Sequence, residues 1–120
     1  MRIAPPEAPK TGYLFGKGVY FADMISKSAP YACPELSGGV GCYLLCEVAL
    51  GETNDLSNIN HDADKLPKGK HSTKAIGREH PDPKDKTTLF KDVEVPFGKT
   101  VNAEAKAGMG SNEFIVYNTN

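Results

Sequence analysis

The chain has 120 residues, is 39% hydrophobic and 24% charged, and carries a formal net charge of -1, which fits one ordinary domain or most of one. That charge excludes a strong electrostatic footprint for nucleic acid. No apolar run reaches the roughly 20 residues a membrane helix needs, and Met1 to Pro6 lacks the apolar core of a signal peptide.

The chain therefore reads as intracellular, and an odd set of three cysteines, Cys33, Cys42 and Cys46, reads as reduced packing residues. Three prolines between Ile3 and Lys10 predict an extended lead-in with few ladder hydrogen bonds. Gly12, Gly16 and Gly18 then bracket aromatic and aliphatic residues, which predicts a tight turn feeding a short strand over Val19 to Ala22. Asp23 can cap a following helix that runs to Ala29 or Ala32, where Pro30 limits extension.

Beyond a Gly-rich turn at Ser37 to Gly41, the run Cys42 to Leu50 is apolar apart from Glu47. This predicts a strand buried on both faces. Gly51 to Asp85 is polar and without sustained periodicity, and reads as a long excursion of the kind that serves a site or a partner. Thr87 to Pro96 predicts a partly exposed strand ended by Pro96-Phe97-Gly98, and Phe114 to Tyr117 the last strand. Strands outnumbering one short helix make the class α+β with a mainly antiparallel sheet.

Two phosphate-binding patterns fail on spacing. Gly16-Lys17-Gly18 would need its third glycine at Phe21 and precedes a strand instead of opening a helix. Gly98-Lys99-Thr100 would need an upstream glycine where Val93 stands. His61, His71 and His80 lie in polar sequence without paired cysteines, so no metal is expected. Ser28 and Tyr31 share a helical face at i and i+3, and so bring a hydroxyl and an aromatic ring to one pocket, a pairing suited to a flat amide-bearing ligand. From spacing alone, a partly buried tyrosine beside a capping-type serine is the default reading of the pair, Tyr20 reads as core before site, and Glu113 reads as a solvated strand end.

The blocks Ala4 to Pro9, Gly12 to Tyr31, Glu47 to Gly51, Lys68 to Ser72 and Asn112 to Tyr117 occur together in this order in one family. In them the chain resembles the C-terminal part of the catalytic domain of the poly(ADP-ribose) polymerases, most closely the nuclear DNA-dependent members. The resemblance implies a partial ADP-ribosyltransferase fold, two facing sheets around a cleft for NAD, over residues 1–120 as a single domain incomplete at both ends. It implies transfer of ADP-ribose from NAD to protein acceptors and growing ADP-ribose chains, with nicotinamide released. DNA contact would come through other domains, with no membrane partner and a nuclear location.

By the same resemblance, Tyr20 and Glu113 correspond to two members of the family's His-Tyr-Glu catalytic set, and Lys27 lies beside the glutamate. Ser28 corresponds to the serine that binds the nicotinamide carboxamide, Tyr31 and Tyr20 to the tyrosines on either side of the ring, and Arg2 to an arginine on the adenosine side. The family's His-Gly pair and its closing strand have no counterpart in the 120 residues, which predicts weak or no catalysis from them alone. Pro30 and Phe114 depart from the Asn and Tyr often found there. The alternative from another class is a non-catalytic module that binds NAD or a partner, or a truncated relic.

Overall fold

A computed structural model of the chain describes residues 3–9, 11–90, 92–103 and 107–118. Arg2, assigned above to the adenosine side of a cleft, lies outside the described residues. Strands dominate: β1 (Val19–Phe21), β2 (Thr53–Leu56), β3 (Ser72–Ala75), β4 (Gly77–Pro81), β5 (Lys86–Leu89), β6 (Val93–Pro96), β7 (Thr100–Asn102), β8 (Met109–Ser111) and β9 (Glu113–Val116). Between β1 and β2 comes the short helix α1 (Ile25–Ser28), followed by 3-10 turns at Ala29–Tyr31 and Pro34–Ser37. The α+β expectation holds, and among the described residues no helix is long and apolar enough to cross a membrane.

The main sheet has the order β1-β9-β3-β2, with β9 antiparallel to both neighbours and β2 parallel to β3. A second sheet has the order β7-β4-β8, and β5 and β6 form a separate antiparallel ribbon. The core is small: Phe15, Ala63, Ala75, Met109 and Ile115, with Leu14, Tyr20, Leu56 and Tyr117 packed against it. It lies on the sheet face to which Tyr20, Thr73 and Ile115 belong, because Ile115 pairs with both Thr73 and Tyr20 across the ladders and side chains alternate faces.

Five expectations change, the first at Cys42, which reads as a packing residue and is exposed. The apolar run 42–50 forms no strand, and Leu44 and Leu45 stay 81% and 83% exposed. Apolarity meets only half of what a buried strand needs; the other half is a neighbouring edge to pair with. No strand pairs with this segment among the described residues.

The polar stretch 51–85 holds β2, β3 and β4. Its burial uses small and hydroxyl side chains, with Ser72, Thr73 and Ala75 fully covered, so a search for large apolar residues passes over it. The hydroxyls have partners, as buried polar groups require: Ser72 donates to the Leu50 carbonyl at 2.7 Å and Thr73 Oγ1 is hydrogen-bonded to the Tyr117 hydroxyl at 2.9 Å.

Thr87 to Pro96 is not one strand but most of the β5–β6 hairpin, whose reversal includes Phe90 at a φ of +49°. Its end at Pro96 is as expected. Finally, Asp23 does not cap α1. Met24 holds that position without a side-chain bond, and the Asp23 carboxylate goes to Asn112 instead.

Candidate active site

Strand alternation and register place the first pair of site residues. On β9, Glu113 and Ile115 share a face, and Ile115 lies opposite Tyr20 of β1. The carboxylate of Glu113 and the ring of Tyr20 therefore belong to the same side of the sheet. Phe21, Phe114 and Lys74 occupy the other side, where the Lys74 ammonium lies 5.8 Å from the Phe114 ring centroid.

The chain leaves β1 and turns into α1, and the helix with its following 3-10 turn supplies the second group. Lys27, Ser28 and Tyr31 join Tyr13, Tyr20 and Glu113 in lining a cavity of about 410 Å³. Five of the six residues singled out from the sequence thus meet in one place: Tyr20, Lys27, Ser28, Tyr31 and Glu113.

Glu113 is only 7% exposed. A carboxylate so covered needs a counter-charge, and Lys27 provides one with its Nζ at 2.8 Å from Oε1. Lys27 sits at ion-pair distance, yet this buried oxygen accepts no hydrogen bond among the described residues. Acceptor capacity remains for a hydroxyl brought into the cavity. Ser28 Oγ has no hydrogen-bond partner among the described residues, whereas the 76% exposed Tyr31 ring forms an open wall with the Lys27 ammonium 6.0 Å from its centroid.

Tyr20 differs from Tyr31 in what its hydroxyl does. It donates to the Gly16 carbonyl at 2.7 Å and accepts the Phe15 N–H at 3.0 Å. Burial pushes the phenol up to about 12, partly offset by the Phe15 N–H and reinforced by Tyr117 and Glu113 nearby. Its oxygen is therefore a fastener for the preceding turn, and its ring is the part left to meet a ligand. Tyr117 fastens the same turn from β9's end by donating to the Phe15 carbonyl at 2.7 Å. Gly16 sits in that turn at a φ of +75°, where a side chain would be strained.

The remaining candidates disperse. His61 Nδ1 contacts the Tyr13 carbonyl at 3.1 Å and His71 Nδ1 accepts the Glu52 N–H at 3.0 Å, so both brace loops. Sequence reasoning missed Asn112 as a working residue. It is 6% exposed, and the one available signal was a polar side chain directly ahead of Glu113 and an apolar strand.

The sequence model of the poly(ADP-ribose) polymerase catalytic domain matches residues 1–120. Poly [ADP-ribose] polymerase 2 of Arabidopsis thaliana is 55% identical over 119 residues, which are 98% of this chain and 19% of that protein. Poly [ADP-ribose] polymerase 1 of Arabidopsis thaliana is 51% identical over 120 residues, 99% of this chain and 12% of its own length. The Danio rerio poly [ADP-ribose] polymerase 1 is 52% identical over 118 residues, again 98% of this chain and 12% of the relative. This chain thus spans less than a fifth of each of these relatives, and at least 98% of it falls within each likeness. On that match, the chain belongs to the poly(ADP-ribose) polymerase catalytic-domain family.

Proposed function

We propose that these residues form the C-terminal part of a catalytic domain that transfers ADP-ribose from NAD to protein acceptors and to growing ADP-ribose chains. The observation that carries the reading is the convergence of Tyr20, Lys27, Ser28, Tyr31 and Glu113 on one cavity, from positions as far apart as 20 and 113 in sequence. In this reading the nicotinamide ring lies between the rings of Tyr20 and Tyr31, with its carboxamide hydrogen-bonded by the Ser28 hydroxyl.

Breaking the bond between nicotinamide and ribose moves the bonding pair to the leaving pyridine nitrogen and builds positive charge on the sugar. An ionised Glu113 stabilises that charge. Its Oε1, held by Lys27 but accepting no hydrogen bond among the described residues, accepts one from the ribose 2'-hydroxyl and orients the incoming acceptor hydroxyl. Lys27 fixes where that carboxylate sits. The stacked pocket adds positioning to the electrostatic effect.

The unpaired apolar run 42–50 supports the further proposal that strands beyond this chain complete the domain and pair with it. Nuclear location, and DNA contact made through other domains, belong to the same reading and rest on the resemblance. The test measures labelled ADP-ribose incorporation by this chain and by the Arabidopsis thaliana relative with this chain grafted in place of its matching 119 residues. Transfer by the graft and little by the chain alone is expected. An inactive graft that still binds a nicotinamide analogue would favour a non-catalytic binding module, and a graft that does neither would overturn the reading.

A further inference from the structure

Asp23 and Asn112 lie outside the cavity, and the reaction described above gives them no task. Yet they form one of the few buried polar connections in the molecule. Phe21 of β1 lies opposite Phe114 of β9, so two residues further along β1 the chain reaches Asp23 beside Asn112. Asn112 Nδ2 donates to Asp23 Oδ2 at 2.8 Å, and Asn112 Oδ1 accepts the Gly77 N–H at 2.9 Å.

Gly77 opens β4 so close to the chain entering β9 that a Cβ there would come within 2.1 Å of the Ser111 carbonyl carbon. One side-chain amide thus ties together the turn into α1, the start of β4 and the start of β9. The contact between positions 23 and 112 is also one of the longest in sequence, with a separation of 89 residues.

Asp23 is held at a cost, since its Oδ1 is buried with no hydrogen-bond partner among the described residues. Burial raises its carboxyl above the ordinary range, and the Asn112 bond, Lys74 on β3 and His80 on β4 work against that rise. Asn112 directly precedes Glu113, and Asp23 stands four residues before Lys27. The separation of Lys27 from Glu113 depends on how these two segments are set against each other.

We propose that Asp23 and Asn112 are positioning residues that hold the Glu113 carboxylate and the α1 group of Lys27 and Ser28 in register for ADP-ribose transfer. The inference rests on the function proposed above. A misplacement of about 1 Å can cost on the order of a hundredfold in rate, so a tie one residue from the carboxylate has a large effect available to it.

Exchange of the two side chains is the test, made in the grafted relative for transfer and in this chain for carbon NMR of the Glu113 carboxyl. Asn112→Asp sets two carboxylates against each other with no donor between them. It is expected to lower kcat about tenfold or more at neutral pH with little change in KM for NAD, and to shift the Glu113 signal. Asp23→Asn alone keeps an acceptor for the Asn112 amide and loses less.

The two combined restore both bonds, because residue 23 then donates and residue 112 accepts from it and from Gly77. The exchange variant should recover kcat to within about threefold and return the Glu113 signal. If Asn112→Asp does not fold, Asp23→Ala takes its place, removing one bond and leaving the Gly77 contact. Unaltered kcat and an unmoved Glu113 signal in the single variants, or an exchange variant that folds and rescues neither, would overturn the proposal. A Glu113 signal that follows the pattern while even the parent graft transfers nothing would sink the enzymatic reading and leave the positioning intact.

Discussion

The two walls of the cavity are built differently. Tyr20 and Glu113 stand on neighbouring strands of the main sheet, backed by the fully buried Ile115 and by a hydroxyl that pins the turn before β1. Lys27, Ser28 and Tyr31 stand on a four-residue helix and a 3-10 turn that contain no buried residue. The carboxylate that would act on the sugar belongs to the wall the core holds in place. The ring that would stack on the base belongs to the wall that a ligand itself completes. On the function proposed above, positioning of the charged group would be a property of the fold, and stacking a property of the complex.

The largest test of that contrast is on the sheet wall. Ile115→Ala removes a side chain with no exposure from the middle of β9, and should cost about 2–5 kcal/mol of stability. Denaturant unfolding monitored by circular dichroism measures it. A loss under about 1 kcal/mol would show that the sheet wall is no firmer than the helix wall. Glu113→Gln keeps the shape of that wall and removes its charge. In the grafted relative it should lower kcat by about 10²–10³-fold, with nicotinamide-analogue affinity nearly retained, since the ring pocket is formed by other residues. Retained turnover would remove Glu113 from the reaction.

What the sequence disclosed follows the same division. β1 and β9 were legible because each is local: a glycine turn into aromatic residues, and an apolar strand. The i, i+3 spacing of Ser28 and Tyr31 allowed them one pocket, but the family resemblance, not the spacing, favoured it over packing. The core was not legible. Residues 42–50 have the composition of a central strand and lie largely exposed, while Ser72 and Thr73 look like surface residues and are fully buried. Burial in a sheet is decided by which edges a strand finds, and β3 finds two, β9 on one side and β2 on the other. Hydrogen-bonded hydroxyls then fill the space at no unsatisfied polar cost.

The Asp23 to Asn112 contact was illegible for a related reason, since an aspartate ahead of a helix reads as a cap until a distant amide claims it. Glu113 illustrates the limit of spacing most clearly. Nothing in its neighbours distinguishes a solvated strand end from a covered carboxylate paired with Lys27; the family resemblance pointed to the second, and the geometry has that pair at 2.8 Å.

A smaller effect is expected at Tyr20, where ring and hydroxyl can be separated. Tyr20→Phe keeps the wall of the cavity but leaves the Phe15 N–H and the Gly16 carbonyl without their partner, a loss of about 1–3 kcal/mol. It should also change the alkaline limb of the stability curve. The phenol titrates near 10.0 in the unfolded chain and about 12 in the fold. The unfolded state therefore loses its proton first, and the stability contributed by the neutral hydroxyl is complete below pH 10.0 and lost as pH rises toward 12. Tyr117, also raised by burial, acts in the same direction. Thermal unfolding followed between these pH values should decline less steeply in the variant; an equal decline would mean that Tyr20 is not the fastener of its turn.

Tyr31→Ala should give the smallest effect and divides the walls most cleanly. With 76% of Tyr31 exposed and no side-chain hydrogen bond to lose among the described residues, unfolding free energy should stay within about 0.5 kcal/mol of the parent. Affinity for a nicotinamide analogue should fall by about 0.5–1.5 kcal/mol, the range for an aromatic pair beyond its buried area, read by isothermal titration. The reverse pattern, stability lost and affinity kept, would make Tyr31 a packing residue and leave Tyr20 as the single stacking surface. Affinity lost together with stability would mean that the helix wall is held by its own packing before any ligand arrives, and the distinction between a wall set by the fold and a wall completed by the ligand would fail.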